Sequence, residues 1–433
     1  MRVDPDRHPM SLSPGQQAWR KLRRSRVAMG SLGILIGVSW LAVMTPLLPL
    51  QPPDRSQVSL QYHDPSISPF WLNNFHLDLK LIARTELEAK RLRAELKDDL
   101  PELDRRITVT REQLQRTTAK LNQIPDLSSR QHQQRLAPTK IACSHAVQAR
   151  RQAFARIDDL IQRPYRQLGF AELNRLSRQM VRIRFGLFGG RSLNALCGRD
   201  LLGRDLLSRL FWGARISLLV GLVATVVSLV IGVSYGAISG YLGGWVDQAM
   251  MRVVDIGYSI PFIFVVIYFI TILGQEEVSA ALADYGIDRI TIFYFVVGAI
   301  YWLTMARVVR GQVLSIKTEL YIEAASALGI PKWRIIFLHV MPNLMSVVIV
   351  YLTLTIPRVM LFEAFLSFLG LGVEPPDVSW GLLANEGIKV ITPIKIYWWL
   401  VLFPSLALGI TLIALNFLGD RLRDALDPRL RSE

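Results

Sequence analysis

Apolar residues gather along the chain in six long runs, at about 27-50, 215-242, 253-274, 289-310, 340-362 and 396-419. Each approaches or exceeds the ~20 residues that a helix needs to cross a bilayer. A spanning segment has no water for its amides and must satisfy its backbone internally. The pattern therefore predicts an all-α membrane protein with six transmembrane helices. Between the first two runs the period changes. Ala89, Leu92, Leu96, Leu100, Leu103, Ile107, Thr110, Leu114 and Leu121 recur mostly at steps of three and four, which is a coiled-coil seam. Pro101 lies inside it, so a kink or short break is expected near Leu100, with Asp99 as a cap. "NQIPDLSSR" at Asn122 to Arg130 supplies a turn, and a weaker pattern through Ile141, Val147, Phe154, Ile157 and Ile161 can return antiparallel. The expected organisation is a terminus and first span over 1-60, a helical hairpin insertion over 61-196, and a five-helix core over 197-433.

Charge orients the bundle. Arg20, Lys21, Arg23, Arg24 and Arg26 flank the first run, and Arg421, Arg423, Arg429 and Arg431 follow the last, so both termini are expected in the cytoplasm. A basic stretch before an apolar run also begins a secretory signal peptide. This run is longer than the usual core and lacks a small-x-small exit, so it reads as an anchored helix. The loop 274-288 has no Lys or Arg and should be outside, whereas Arg307 to Arg334 is basic and should be inside. The segment 51-214 is then outside despite a net charge of about +11, which long translocated domains tolerate. The balance of +15 over the chain lies on membrane flanks and this segment, with no nucleic-acid-binding module, so no nucleic-acid partner is expected. Cys143 and Cys197 both fall outside, where a bridge or two free thiols are open alternatives. The histidines lack metal-site spacing, and no metal or catalytic residue is expected.

The inward loop 311-343 holds "YIEAASALGIPKWRIIFLHVMPN", Tyr321 to Asn343. Thr318 to Leu328 is rich in helix formers, Gly329 is placed to end a helix, and Pro331 can open another. The result is an elbow. Ala324 and Ala325 would let another protein approach the backbone, and Glu323 offers a charge-assisted contact. A surface-lying amphipathic connector without a partner is the alternative.

Glu323, Ala324, Ala325, Gly329 and, thirteen residues on, Pro342 form a pattern that resembles the signature loop of permease subunits of ATP-binding-cassette importers, most closely the peptide/nickel branch. Met341 stands where that branch commonly has Leu. "GRDLLGRDLLSRLFWGARISLLVGL" from Gly198 resembles the family's approach to its second span, with Arg199 departing from a usual Thr. "FEAFLSFLGLGVEPPDVSWG" from Phe362 and "LNFLGDRLRDALDPRLR" from Leu415 resemble two later segments. Residues 75-185 lie outside the likeness. The resemblance implies a bacterial cytoplasmic (inner) membrane location and a coupling loop docked on an ATPase. It further implies a second permease subunit, two ATPase subunits that bind ATP and magnesium, and an extracytoplasmic solute-binding protein. No phosphate cradle is encoded, since "GQVLSIKT" at Gly311 to Thr318 lacks the second glycine of a P-loop, so no cofactor is expected on this chain.

Gly232, Gly236, Gly240 and Gly244 recur every four residues, a smooth strip for packing within the chain or against a second permease. Pro261, Pro357 and Pro404 interrupt later spans. Arg358 and Glu363, near the outer end of the fifth, should face protein or water and are candidates for a gate or pathway, against interfacial snorkelling. The expected function is a non-catalytic permease subunit of an ATP-driven importer for peptides or similar small solutes, with nickel or another non-peptide solute as an alternative. A membrane receptor with an outer coiled-coil domain is the rival from another class, and an independent channel is a second.

Overall fold

The computed structural model describes residues 14–66, 70–73, 77–122, 129–275, 278, 282, 289–393 and 395–426. The chain forms two compact units, Met1–Phe70 with Leu193–Glu433, and Trp71–Ser192. The expected turn at Asn122 to Arg130 falls mostly outside the described residues.

The first unit is an all-α membrane bundle. Five helices are long and apolar enough to cross a bilayer, and a bent pair makes a sixth span if it is counted as one. Pro14–Arg24 (α1) leads into Arg26–Met44 (α2), whose start is capped by the Ser25 hydroxyl accepting from the Ala28 amide. Leu206–Leu242 (α6) follows the second unit. Its inward face carries Ser217, Gly221, Ala224, Ser228, Gly232 and Gly236, while Leu219, Leu222, Val226 and Val230 point outward. Large apolar residues outside and small ones inside is the membrane arrangement, because lipid solvates leucine and only small residues let backbones meet. The hydroxyls turn back on their own helix, as Thr225 does in donating to the Gly221 carbonyl at 2.6 Å.

The third apolar run is not one straight helix. Gly244–Ser259 (α7) and Phe262–Leu273 (α8) meet at 86°, with Pro261 between them. Proline lacks the amide to continue a helix and pushes the residue before it into extended geometry, which Ile260 adopts. Pro357 and Pro404, by contrast, lie inside unbroken helices, Met341–Phe368 (α12) and Trp398–Leu426 (α14). The remaining elements are Arg289–Ile316 (α9), Leu320–Ala327 (α10), Lys332–Ile335 (α11) and Trp380–Lys389 (α13).

The glycine strip packs within the chain. A Cβ on Gly232 would lie 2.6 Å from the Met305 Cβ, on Gly236 2.4 Å from the Ala306 carbonyl oxygen, and on Gly240 2.9 Å from the Arg310 carbonyl oxygen, all on α9. In return, Gly298 of α9 sits against Ala224, where a Cβ would be 2.7 Å from the carbonyl oxygen. The strip is therefore occupied by α9 and does not await a second permease at these positions.

The second unit contains Leu79–Asn122 (α3), Ser129–Arg166 (α4), Arg175–Phe188 (α5) and two short paired strands, Trp71–Asn73 (β1) and Arg191–Leu193 (β2). Asp78 starts α3 by accepting from the Lys80 and Leu81 amides. Ala89, Leu92, Leu96, Leu100 and Leu103 pack against Ala153, Ile157 and Ile161 of α4, so the two helices run antiparallel. Asp104 pairs with Arg150 at 3.1 Å in the same register. Arg182 of α5 bonds both Glu86 of α3 and the Tyr165 hydroxyl of α4. Helix α3 passes through Pro101 without the short break that was one of the two alternatives there, with apolar packing on both sides of the proline. The returning pattern holds at Ile157 and Ile161 but not along its whole length. Ile141 and Phe154 are exposed, and a gap of about 850 Å³ beside Leu103, Thr110, Ala142 and Ala149 marks where the apolar seam opens.

Gly236→Ala is expected to destabilise the detergent-solubilised protein by about 1–3 kcal/mol through overpacking. Gly37→Ala on α2, where a Cβ meets nothing within 4 Å, serves as the silent control in the same thermal unfolding assay. Replacing 75-185 by a short flexible linker is expected to leave membrane insertion unchanged, since that unit has an apolar core of its own; loss of inserted protein on membrane fractionation would refute this.

Candidate coupling elbow and the charged ends of the bundle

The elbow is built from local rules. Helix α10 ends in a Schellman arrangement, with the Ile330 amide donating to the Ala325 carbonyl and the Gly329 amide to the Ser326 carbonyl. That geometry needs a left-handed residue, and Gly329 supplies it at φ +74°. Pro331 then opens α11, its carbonyl accepting from the Arg334 and Ile335 amides. A π-helical turn over Ile336–Val340 joins α11 to α12, a local widening often found where a helix is functionally constrained. Pro342 stands in the first turn of α12, where no amide is required.

The elbow has two unlike faces. Ile322, Ala325, Ile335 and Ile336 are buried in one cluster with Tyr241 of α6, Val309 and Val313 of α9, and Val340 and Leu344. Ala325 was expected on the outer, approachable surface with Ala324. It instead faces inward, because residues one apart on a helix point about 100° away from each other. Outward stand Glu323 and Ala324, with Leu320 and Leu328 82% and 81% exposed, and Trp333 beside them. Leucines bared to this degree beside a tryptophan form an apolar patch too large to be incidental. Asn343 braces the elbow by donating to the Tyr321 hydroxyl at 3.0 Å and to the His339 carbonyl at 2.7 Å.

Beside the elbow, Arg310 of α9 grips Asp247 of α7 at both oxygens, 3.0 and 2.5 Å, and Ser239 of α6 donates to the same carboxylate. Three helix ends are thus tied at one point by a forked guanidinium. Sequence reasoning missed this pair. A single Asp and a single Arg sixty-three positions apart carry no spacing signal, since Asp247 falls between two apolar runs and Arg310 at the end of another.

The opposite end of the bundle holds a denser cluster. Arg209, 1% exposed in the first turn of α6, reaches Asp200 at 2.7 Å and Glu386 of α13 at 2.5 Å. Arg204 binds Asp200 at 2.7 Å and approaches Asp54 and Glu386. The repeated Gly-Arg-Asp of "GRDLLGRD" now has a physical reading. Gly198 and Gly203 take positive φ, Arg199 donates to the Gly203 carbonyl at 2.8 Å, and Asp205 caps α6 by accepting from the Ser208 amide. Burial pushes the Asp205 carboxyl up to about 6 against those hydrogen bonds, and raises Asp54 as well despite Arg209 and Arg204 nearby. Burial also drives the Cys197 thiol up to about 12, which leaves it unreactive. Both cysteines are free thiols.

Glu363 and Arg358 do not come together. Glu363 is fully buried and accepts from the Ser367 hydroxyl at 2.7 Å. Arg358 is exposed on a different side of the same helix. Snorkelling thus does not describe Glu363, which faces protein.

Comparison with known proteins places this geometry in a family. The sequence profile described as "Binding-protein-dependent transport system inner membrane component" matches residues 207–432, and that of the "N-terminal TM domain of oligopeptide transport permease C" matches residues 13–69. The oligopeptide transport system permease protein OppC of Haemophilus influenzae is 46% identical over 234 residues, covering 54% of this chain and 70% of that protein. The dipeptide transport system permease protein DppC of Bacillus subtilis is 43% identical over 234 residues, covering 54% and 68%. The glutathione transport system permease protein GsiD of Pectobacterium atrosepticum is 38% identical over 239 residues, covering 54% and 73%. The elbow, α6 and the charged α6–α13 cluster above its first turn all lie in or at the edge of the matched region, and the chain belongs to the family of binding-protein-dependent transport system inner membrane components.

Proposed function

We propose that this chain is the membrane-spanning permease subunit of an ATP-driven importer of peptides or similar small solutes. It lies in a bacterial cytoplasmic membrane with both termini and the elbow in the cytoplasm. Separate ATPase subunits bind ATP and magnesium and dock on the elbow. A second permease of similar fold completes the pathway, and an extracytoplasmic solute-binding protein delivers the solute. The relatives named for oligopeptide, dipeptide and glutathione transport support the substrate class.

The observation that carries the docking role is the contrast between the elbow's two faces. Its outer face bares Leu320, Leu328 and Trp333 around Glu323, which suits a hydrophobic groove with a basic residue. Its inner face is rooted among α6, α9 and α12. A close-packed root transmits displacement rather than absorbing it. When the ATPase subunits close on ATP, the elbow moves with them, and the ends of three spanning helices follow. The bend at Pro261 then lies beside a body that tilts as a unit, and the pathway alternates between outward and inward openings. Within these 433 residues no Gly-x4-Gly-Lys-Ser/Thr segment exists to cradle phosphates, which is why hydrolysis is assigned to a partner.

Glu323→Lys reverses the contact charge and Gly329→Val places a β-branched side chain at φ +74°, at a cost of roughly 1–3 kcal/mol to the turn. Both variants are expected to insert normally yet lose ATPase co-purification and solute uptake; normal uptake by both would defeat the docking role. The isolated chain is expected to bind no nucleotide above background by isothermal titration calorimetry. Stoichiometric ATP binding would defeat the division of labour.

A further inference from the structure

Most arginines of the spanning helices have an evident partner. Arg209 and Arg310 are held by carboxylates, Arg307 meets Asp255 at 2.9 Å and the ring of Tyr258, and Arg215 lies over Trp212. Arg358 is different. It is exposed, and no carboxylate among the described residues forms an ion pair with it. It stands seventeen residues after the start of α12 at Met341 and ten before its end at Phe368. At 1.5 Å per residue those distances are about 25 and 15 Å. Arg358 thus falls inside the apolar run 340-362, toward its outer end, where a charged side chain is better placed facing protein or a water-filled path than lipid.

The surroundings are specific. Tyr301 of α9 donates its hydroxyl to the Arg358 backbone carbonyl at 3.3 Å. The Tyr301 ring meets Phe262 edge-on with centroids 5.8 Å apart, and Phe362 lies 5.0 Å from Phe262 and 6.4 Å from Tyr301. All three rings are only half-buried. Phe262 is the first residue of α8, directly after the Pro261 bend. Arg358, exposed and held to Tyr301 through its backbone, and Phe362 one turn further along α12 thus share one side of that helix, next to the bend between α7 and α8. Glu363, five residues on, is buried and bonded to Ser367, so it is no counterion.

We infer that Arg358 with the Tyr301–Phe262–Phe362 shelf is a subsite on the translocation pathway that receives a solute's carboxylate. The guanidinium takes the carboxylate through forked, charge-assisted hydrogen bonds, and the rings take the neighbouring apolar side chain. A peptide carries both groups next to each other at its C-terminus. The inference rests on the importer reading above and adds a recognition chemistry to it. A transient occupant fits the site better than an acidic side chain of a second permease. Such a residue would form a lasting ion pair across a hinge that has to move, whereas a passing carboxylate leaves the cation free between cycles.

The test uses the full importer in proteoliposomes, with the solute-binding protein saturated by each of three probes. These are a tripeptide with a free C-terminal carboxylate, its C-terminal amide, and an amide with glutamate at the last position. Uptake per ATP hydrolysed is read for each. In the unsubstituted complex the free acid is expected to exceed the plain amide by on the order of 10-fold, as loss of one charge-assisted hydrogen bond would give. Arg358→Gln is expected to bring the acid down to the level of the amide, so that the acid-to-amide ratio falls to about one. Arg358→Lys should keep most of the preference. If the glutamyl amide behaves as the free acid, any carboxylate is accepted; if it behaves as the plain amide, the main-chain terminus is what is read. An unchanged acid-to-amide ratio in Arg358→Gln overturns the inference while the importer reading stands. Loss of the second permease on purification of Arg358→Gln also overturns it, by assigning the cation to a subunit contact. Absence of any peptide uptake by the unsubstituted complex overturns the peptide reading itself, and this inference with it.

Discussion

Close approach of the α6 and α9 backbones is the constraint on which the membrane unit depends. In lipid there is no hydrophobic penalty to drive helices together, so association rests on dispersion at short range and on satisfied polar groups. Gly232, Gly236 and Gly240 on one helix and Gly298 on the other remove the side chains that would hold the axes apart. The contact runs along α6 from Ala224 to Gly240 and takes in Ser239, which belongs to the Ser239–Asp247–Arg310 knot near the helix end. With that pair rigid, α12 and the elbow have a fixed body to pack against.

The placement of charge follows from the same constraint. A carboxylate or guanidinium in this environment is tolerated when it is paired and hydrogen-bonded, and the bundle collects such pairs at its two ends. Arg209 with Asp200 and Glu386 ties α6 to α13 at one end, and Arg310 with Asp247 ties α9 to α7 at the other. Between the ends, several hydroxyls fold back on their own helices, as Thr225 and Thr411 do, and Arg307 pairs with Asp255. Glu363 is sealed in protein, whereas Arg358 on the same helix is exposed and has no ion pair among the described residues.

The elbow has a matching logic. The elbow is short, yet α10 is capped by backbone bonds alone, and α11 begins at a proline that cannot extend the preceding turn. Its conformation therefore does not depend on a bound partner. Ile322, Ala325 and Ile335 anchor it in the cluster that also contains Tyr241, Val313 and Val340, so the piece that meets the outside shares its core with the spanning helices. The second unit, with its own seam at Leu96, Ile157 and Ile161, is built on a separate core.

Much of this was determined by the sequence alone. The apolar runs dictate spanning helices because the bilayer allows few other solutions. The stretch from Glu323 to Pro342 specifies the elbow because helix formers, a glycine and prolines act over four or five residues. Three- and four-residue spacing from Ala89 to Leu103 specifies a helix with one apolar edge. Tertiary structure decided what spacing cannot encode. It turned Ala325 inward and left Ala324 outside, since only packing chooses which face of a short helix is buried. It bent the third run by 86° at Pro261 yet left α12 and α14 unbroken at Pro357 and Pro404, because neighbouring helices restrain the latter two. It spent the glycine strip on α9, sealed Glu363 and bared Arg358 on the same helix. Pairs such as Arg209 with Glu386, 177 positions apart, exist only once the chain has folded, because electrostatic partners are chosen by distance in space and not by distance along the sequence.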